Sequence, residues 1–327
     1  MDRRSYLSFV GAAAVAGCTE SSDGESGATD TPTEAPTPTA TQTPTASADA
    51  RDAIEQAEED LNQAITLLQE ETDTWSTTGD ASISTKAVDT ALANAREALD
   101  RAEESANGDQ QERVDVLRSF ADFVDKTVSA VSAVGDGINE ISTAVSYENT
   151  GRYKDGAEAL DSAASYFGDA HDQLTAAGET FSEIKDQLPS SSDVDLVQSE
   201  TAQEELVALA DAYQRFAETG AIFDRGLADY YSGVDKYNNE NFSDAEEDFS
   251  NALEHFQTAN DQYSTAEDEV PQEFVSTFIE QTCGTRVYSE ASNRLVLASQ
   301  SAAEGNYEEA SNLVTEAESV LNENCTA

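Results

Sequence analysis

The side chains that could do chemistry are few and scattered. The chain has 327 residues but only two histidines, His171 and His255, and three cysteines, Cys18, Cys283 and Cys325. A catalytic zinc needs three clustered protein ligands and a structural one four, and no HExxH, paired-His or Cys cluster is present. No G-x-S-x-G elbow, phosphate-binding loop or dinucleotide glycine fingerprint appears, and no calcium-loop spacing. Carboxylates are abundant, so a helical i,i+4 pair such as Asp244 and Asp248 is expected by chance on a solvated face. The expectation is a chain that is not an enzyme, with no catalytic residue, no metal site and no cofactor.

Cys18 has a distinctive context. The N-terminus reads MDRRSYLSFVGAAAVAGC. The apolar stretch from Ser5 to Gly17 is too short, and too rich in Gly and Ala, to span a bilayer, which takes about 20 apolar residues. Arg3 and Arg4 followed by Ser-Tyr-Leu resemble a twin-arginine export signal. Val15 to Cys18 resembles a lipobox. The two resemblances imply a signal peptide over 1–17 and a Cys18 thioether-linked to diacylglycerol as the mature N-terminus. They also imply residence on the outer face of the cytoplasmic membrane. Residues 19–50 then hold four of the six prolines among Thr and Ser, with no aromatic and no aliphatic larger than Ala. Nothing there can offset ordering entropy, so 18–50 reads as a lipid-anchored, disordered linker reaching on the order of 100 Å if extended.

Asp and Glu number 66 against 17 Lys and Arg, a net charge of -49. Such a surface repels nucleic acid and anionic headgroups, which excludes both as partners. Only five of the basic residues are Lys, a bias that resembles proteins of halophilic archaea. The resemblance implies a molar-salt medium, where the Debye length falls to about 3 Å and carboxylates hold hydrated salt cations.

The elements that carry these residues are helical throughout. Ala202, Leu206, Leu209, Tyr213, Phe216, Gly220, Phe223, Leu227, Tyr230, Val234 and Tyr237 alternate steps of four and three, one seam of a helix. A second seam runs Tyr153, Leu160, Phe167, Leu174, Phe181, Leu188. Gly, Pro, Thr, Ser and Asp gather at the breaks, with Pro189 and Pro271 at two of them. The pattern predicts eight helices, near 50–72, 84–106, 109–147, 152–187, 197–238, 242–267, 272–303 and 307–323. Trp75 falls just after the first. The fold class expected is all-α: elongated antiparallel hairpins with coiled-coil-like packing.

Three stretches share a pattern when aligned on Tyr153, Phe242 and Tyr307. Three residues on stand Gly156, Ala245 and Ala310; seven on, Leu160, Phe249 and Val314; ten on, Ala163, Ala252 and Ala317. The small residues should let the helix backbones approach, and the bulky ones fill the gaps between helices. The pattern resembles the second helix of a tetratricopeptide repeat, and Gly233 falls where that family places a first-helix Gly. The family's Trp, Tyr and Pro positions are taken by Asp229, Lys236 and Gln257, and the copies are not in tandem. The resemblance implies helical-hairpin units, assigned as an N-terminal group over 51–188 and a tetratricopeptide-like C-terminal group over 189–327.

With Cys18 lipidated, Cys283 and Cys325 remain, and an exported chain meets an oxidising compartment. Cys283 lies within the predicted 272–303 helix and Cys325 follows the returning one; from Cys283 to the helix end and back from Tyr307 to Cys325 are two legs of about 30 Å each at 1.5 Å per residue. Their sulfurs return to one end of the hairpin, so a disulfide is expected. Asn241 and Asn324 open N-x-S/T sequons and are candidate glycosylation sites. The function these features favour is a non-catalytic surface lipoprotein that binds or scaffolds proteins. A transporter's solute-binding lipoprotein and a purely structural envelope protein are the alternatives.

Overall fold

The computed structural model describes residues 47–78, 84–187, 196–322 and 325, with side chains for all of these except 71–78 and 196–202. Cys18, Arg3, Arg4, the linker up to residue 46, Pro189 and Asn324 lie outside the described residues. Among the described residues the chain forms eight α-helices and no strand. They are α1 (Ala48–Thr78), α2 (Lys86–Glu103), α3 (Gly108–Glu148), α4 (Tyr153–Ile184), α5 (Leu196–Asn238), α6 (Phe242–Ala266), α7 (Gln272–Ala303) and α8 (Tyr307–Leu321). None is long and apolar enough to cross a membrane.

The helix bounds fall within three residues of those expected except at the end of α1, which runs six further. The first helix continues to Thr78, so Trp75 lies within it and not after it. Thr and Ser weaken a helix but do not stop one, and the first residue that favours a stop is Gly79. At its other end α1 begins at Ala48, inside the stretch read as linker. Gln110 is the cause: its side chain accepts from Ser47 N–H (3.2 Å) and donates to Ser47 C=O (3.0 Å). The same carboxamide oxygen accepts from Asn107 N–H at 3.2 Å, closing the first turn of α3. One side chain thus starts two helices.

Each helix packs mainly on its neighbours in the chain, and α1 with α3, α3 with α5, and α5 with α7 also touch. Three apolar cores follow in order along this open stack. The first joins α1, α2 and the start of α3 to the end of α4 around Leu61, Leu99, Phe120 and Phe181. The second lies between α3, α4 and α5 and takes in Tyr263, Phe274 and Phe278, so it draws on residues from both sides of position 189. The third fills α5, α6 and α7 around Phe249 and Phe256, with Ala317 of α8. Close helix approach there depends on glycine. A Cβ on Gly226 would stand 2.7 Å from the Phe256 ring, and one on Gly233 2.8 Å from Phe249.

The scarce cations clip neighbouring helices together. Arg113 of α3 holds Glu58 of α1 at 2.6 Å, Arg118 of α3 holds Glu103 of α2 at 2.5 Å, and Arg294 of α7 holds Glu316 of α8 at 3.1 Å. At the far end Cys283 of α7 and Cys325 form the expected disulfide, with Cα atoms 5.7 Å apart.

Candidate functional site

The three aligned stretches open with one shared backbone device. Helices α3, α5 and α7 are each followed within three residues by a residue of positive φ: Gly151 at 74°, Glu240 at 62° and Gly305 at 86°. In each turn the N–H of that residue bonds the carbonyl three back, and the next N–H bonds the carbonyl five back: Gly151 to Glu148 and Arg152 to Tyr147, Glu240 to Tyr237 and Asn241 to Lys236, Gly305 to Ala302 and Asn306 to Ser301. This is a Schellman stop followed at once by a new helix. The residue between turn and helix repeats as well, with φ/ψ of -93°/58° at Arg152, -87°/61° at Asn241 and -87°/60° at Asn306. Tyr153, Phe242 and Tyr307 then begin the next helices. Tyr153 and Phe242 are half-buried, whereas Tyr307 is 65% exposed.

The other aligned positions sit where packing requires. Leu160, Ala163, Ala245, Phe249, Ala252, Ala310 and Ala317 are buried, and Val314 is half-buried. Gly233 receives Phe249. Asn241 is exposed at its turn. His171 and His255 are on separate helices, each beside one aspartate, Asp172 and Asp229, at 3.6 Å. Among the described residues no group of three or more His, Cys, Asp or Glu is arranged as a metal site.

Gly156 behaves differently from its counterparts. No apolar side chain fills the space beside it; instead Oδ2 of Asp224 from α5 lies against it, closer than any Cβ would allow. Asp224 is fully buried, and neither of its carboxylate oxygens has a hydrogen-bond partner. Oε1 of Glu148, at the end of α3, is buried without a partner as well. Burial, and then the nearby Glu148 charge, push the Asp224 carboxyl well above the ordinary carboxylate range; burial raises Glu148 too.

Tyr153 and Tyr263 lie near the pair, and Tyr153 opens a run of tyrosine contacts. The Tyr153 ring stacks on Tyr231 at 5.0 Å, Tyr231 meets Tyr230 edge-on at 5.4 Å, and Tyr230 meets Tyr288 edge-on at 5.7 Å. Tyr263 reaches in from α6, its hydroxyl donating a long 3.4 Å bond to Phe216 C=O. Burial raises the phenols of Tyr153 and Tyr263, and the charges of Asp224 and Glu148 raise both further. The nearby cations have partners elsewhere. Arg152 lies 4.3 Å over the Tyr147 ring and bonds Asp155, Arg225 bonds Asp161, and Lys236 bonds Asp248.

The sequence pattern makes Gly156 a small residue that lets backbones approach; the structure makes it the seat of a carboxylate. Asp224 itself was missed. As one of 66 acidic residues beside Phe223 on the seam, it carries no local signal. The class these observations define is an all-α protein of stacked helical hairpins with a disulfide-closed C-terminal hairpin. No protein family, curated protein or solved structure matches the chain.

Proposed function

We propose that the chain is a lipid-anchored, extracytoplasmic helical module that binds or scaffolds other proteins. The observation that carries this reading is the open stack. Among the described residues, hairpins with the same Schellman stop follow one after another, each helix packing mainly on its neighbours in the chain. Repeat arrays of this kind use long side-chain faces for recognition, and the tetratricopeptide-like spacing around Ala245 and Ala310 agrees with that use. The Arg3-Arg4 and Cys18 signals supply the address, and the Thr-, Pro- and Ser-rich residues 18–46 join the lipid to the stack, which begins with α1 at Ala48.

The test is capture from detergent-solubilised membranes, comparing the parent with Cys18→Ser. The parent should sediment with membranes and retain defined protein partners. Cys18→Ser should be released or stay unprocessed. A processed Cys18→Ser protein that remains membrane-bound would refute the anchor. Recovery of a transporter's membrane subunits, or of envelope polymer without protein, would refute the scaffold.

A further inference from the structure

We infer that Asp224 and Glu148 together bind one hard, oxygen-seeking divalent cation where α3, α4 and α5 meet. The argument begins with cost. Taking one ionised carboxylate out of water costs several kcal/mol unless it is paired, and Asp224 is fully buried with no partner on either oxygen. Among the described residues no Lys or Arg bonds Asp224 Oδ1, Asp224 Oδ2 or Glu148 Oε1; Arg152, Arg225 and Lys236 bond other acids. Protonation alone answers the charge but not the geometry. A neutral Asp224 carboxyl still needs an acceptor for its O–H and a donor for its C=O.

A cation satisfies both demands. Oδ1 and Oδ2 of Asp224 and Oε1 of Glu148 are three buried carboxylate oxygens without a partner, offered by two helices, and the Glu148 charge is felt at Asp224. Two carboxylates balance one divalent charge, which leaves no net charge in the interior. The phenols of Tyr153 and Tyr263 feel both carboxylates, which places tyrosine rings near the ion, and waters complete the oxygen shell that Ca²⁺ takes. Gly156 supplies the room, because any Cβ there would meet Oδ2. Glu148 is only half-buried, so an ion can exchange with solvent past it. With no third carboxylate, imidazole or thiol in reach among the described residues, the site is of low charge. Its affinity belongs with the weak extracellular class, about 0.1–1 mM for Ca²⁺.

The full mature chain, stripped with chelator and held in constant molar KCl to screen surface carboxylates, is titrated with Tb³⁺ while tyrosine is excited. Tyr153, Tyr231 and Tyr263 should sensitise emission from one bound ion, and Ca²⁺ should displace it. Ca²⁺ should also raise the melting temperature. Asp224→Asn should weaken binding at least tenfold and abolish the Ca²⁺ shift in melting. Glu148→Gln, at a half-exposed position, should fold normally and weaken binding in the same direction. Equal Tb³⁺ emission from parent and both variants would show surface binding and overturn the inference. An unshifted melting point with Ca²⁺, together with higher stability of Asp224→Asn, would show a shared proton instead. Equal stabilisation by matched Na⁺ would overturn the divalent assignment.

Discussion

Glu240 occupies a conformation that its two counterparts give to glycine, and replacing it should stabilise the protein. Its φ of 62° falls in the left-handed region, like Gly151 and Gly305 in the equivalent turns. A residue with a Cβ there crowds the following carbonyl at a cost of about 1–2 kcal/mol. The Glu240 side chain is exposed, so Glu240→Gly removes little besides that crowding and one negative charge from a chain at -49. Glycine's greater freedom in the unfolded chain takes back about 0.4–1 kcal/mol. The net gain should be about 0.5–1 kcal/mol, a rise in melting temperature of about 1–3 °C for a chain of this size. The converse changes, Gly151→Ala and Gly305→Ala, should each cost about 1 kcal/mol. Thermal melts followed by circular dichroism in molar salt measure all three. A Glu240→Gly protein that melts lower than the parent, or a Gly151→Ala protein that melts the same, would refute the reasoning, because it rests on the turns being equivalent.

Three further outcomes follow from packing and charge. Gly226→Ala and Gly233→Ala should destabilise by about 1–2 kcal/mol, since a Cβ within 2.8 Å of a Phe ring outweighs alanine's helix propensity; Gly108→Ala, with nothing near its Cβ position, is the neutral control in the same melts. Breaking the Cys283–Cys325 bond, which closes a loop with a sequence separation of 42, should cost about 4 kcal/mol on chain entropy, read as a lower melting point under reductant that Cys325→Ser reproduces. In chelator-treated buffer the raised carboxyls of Asp224 and Glu148 make the folded state bind more protons than the unfolded state above about pH 4. Their contribution is therefore complete below that pH and is lost as pH rises through the raised folded values. Asp224→Asn should flatten this fall in stability with pH; an unchanged profile would show that Asp224 does not titrate with folding.

Local chemistry made most of the helices legible. The expected 272–303 helix matches α7 at both ends, because Pro271 fixes one and Gly305 the other. The disulfide was legible from helical rise alone once two cysteines were left to pair. The overrun of α1 to Thr78 was not, because Thr, Ser and Asp lower helix propensity without forbidding it. The carboxylate pair lay deeper still. Asp224 is polar by type, one position from a seam residue, and its burial is decided by a glycine 68 positions earlier on another helix. No window of sequence contains both.

That distant pairing yields a prediction the repeat itself makes sharp. The position three residues after the turn aromatic is Ala245 in α6 and Ala310 in α8, both buried to within 2% without conflict. A Cβ is therefore tolerated at this step of the hairpin in two copies of three. Only in α4 is it Gly156, and only there does a carboxylate oxygen take the space. If Asp224 alone demands the glycine, the two residues must couple. Gly156→Ala by itself should destabilise, by forcing Asp224 out of its seat. Asp224→Ala in chelator-treated buffer should cost little, since it removes a buried carboxylate that has no partner in the chain. In the double variant the new methyl enters space Asp224 has left, and alanine adds up to about 1 kcal/mol of helix propensity over glycine. The cycle of four melts should show a coupling above about 1 kcal/mol, against the 0.3–0.5 kcal/mol scatter typical of independent sites. Additive single effects would mean that backbone approach, and not the carboxylate, fixes the glycine, and that Asp224 is free to move away from α4.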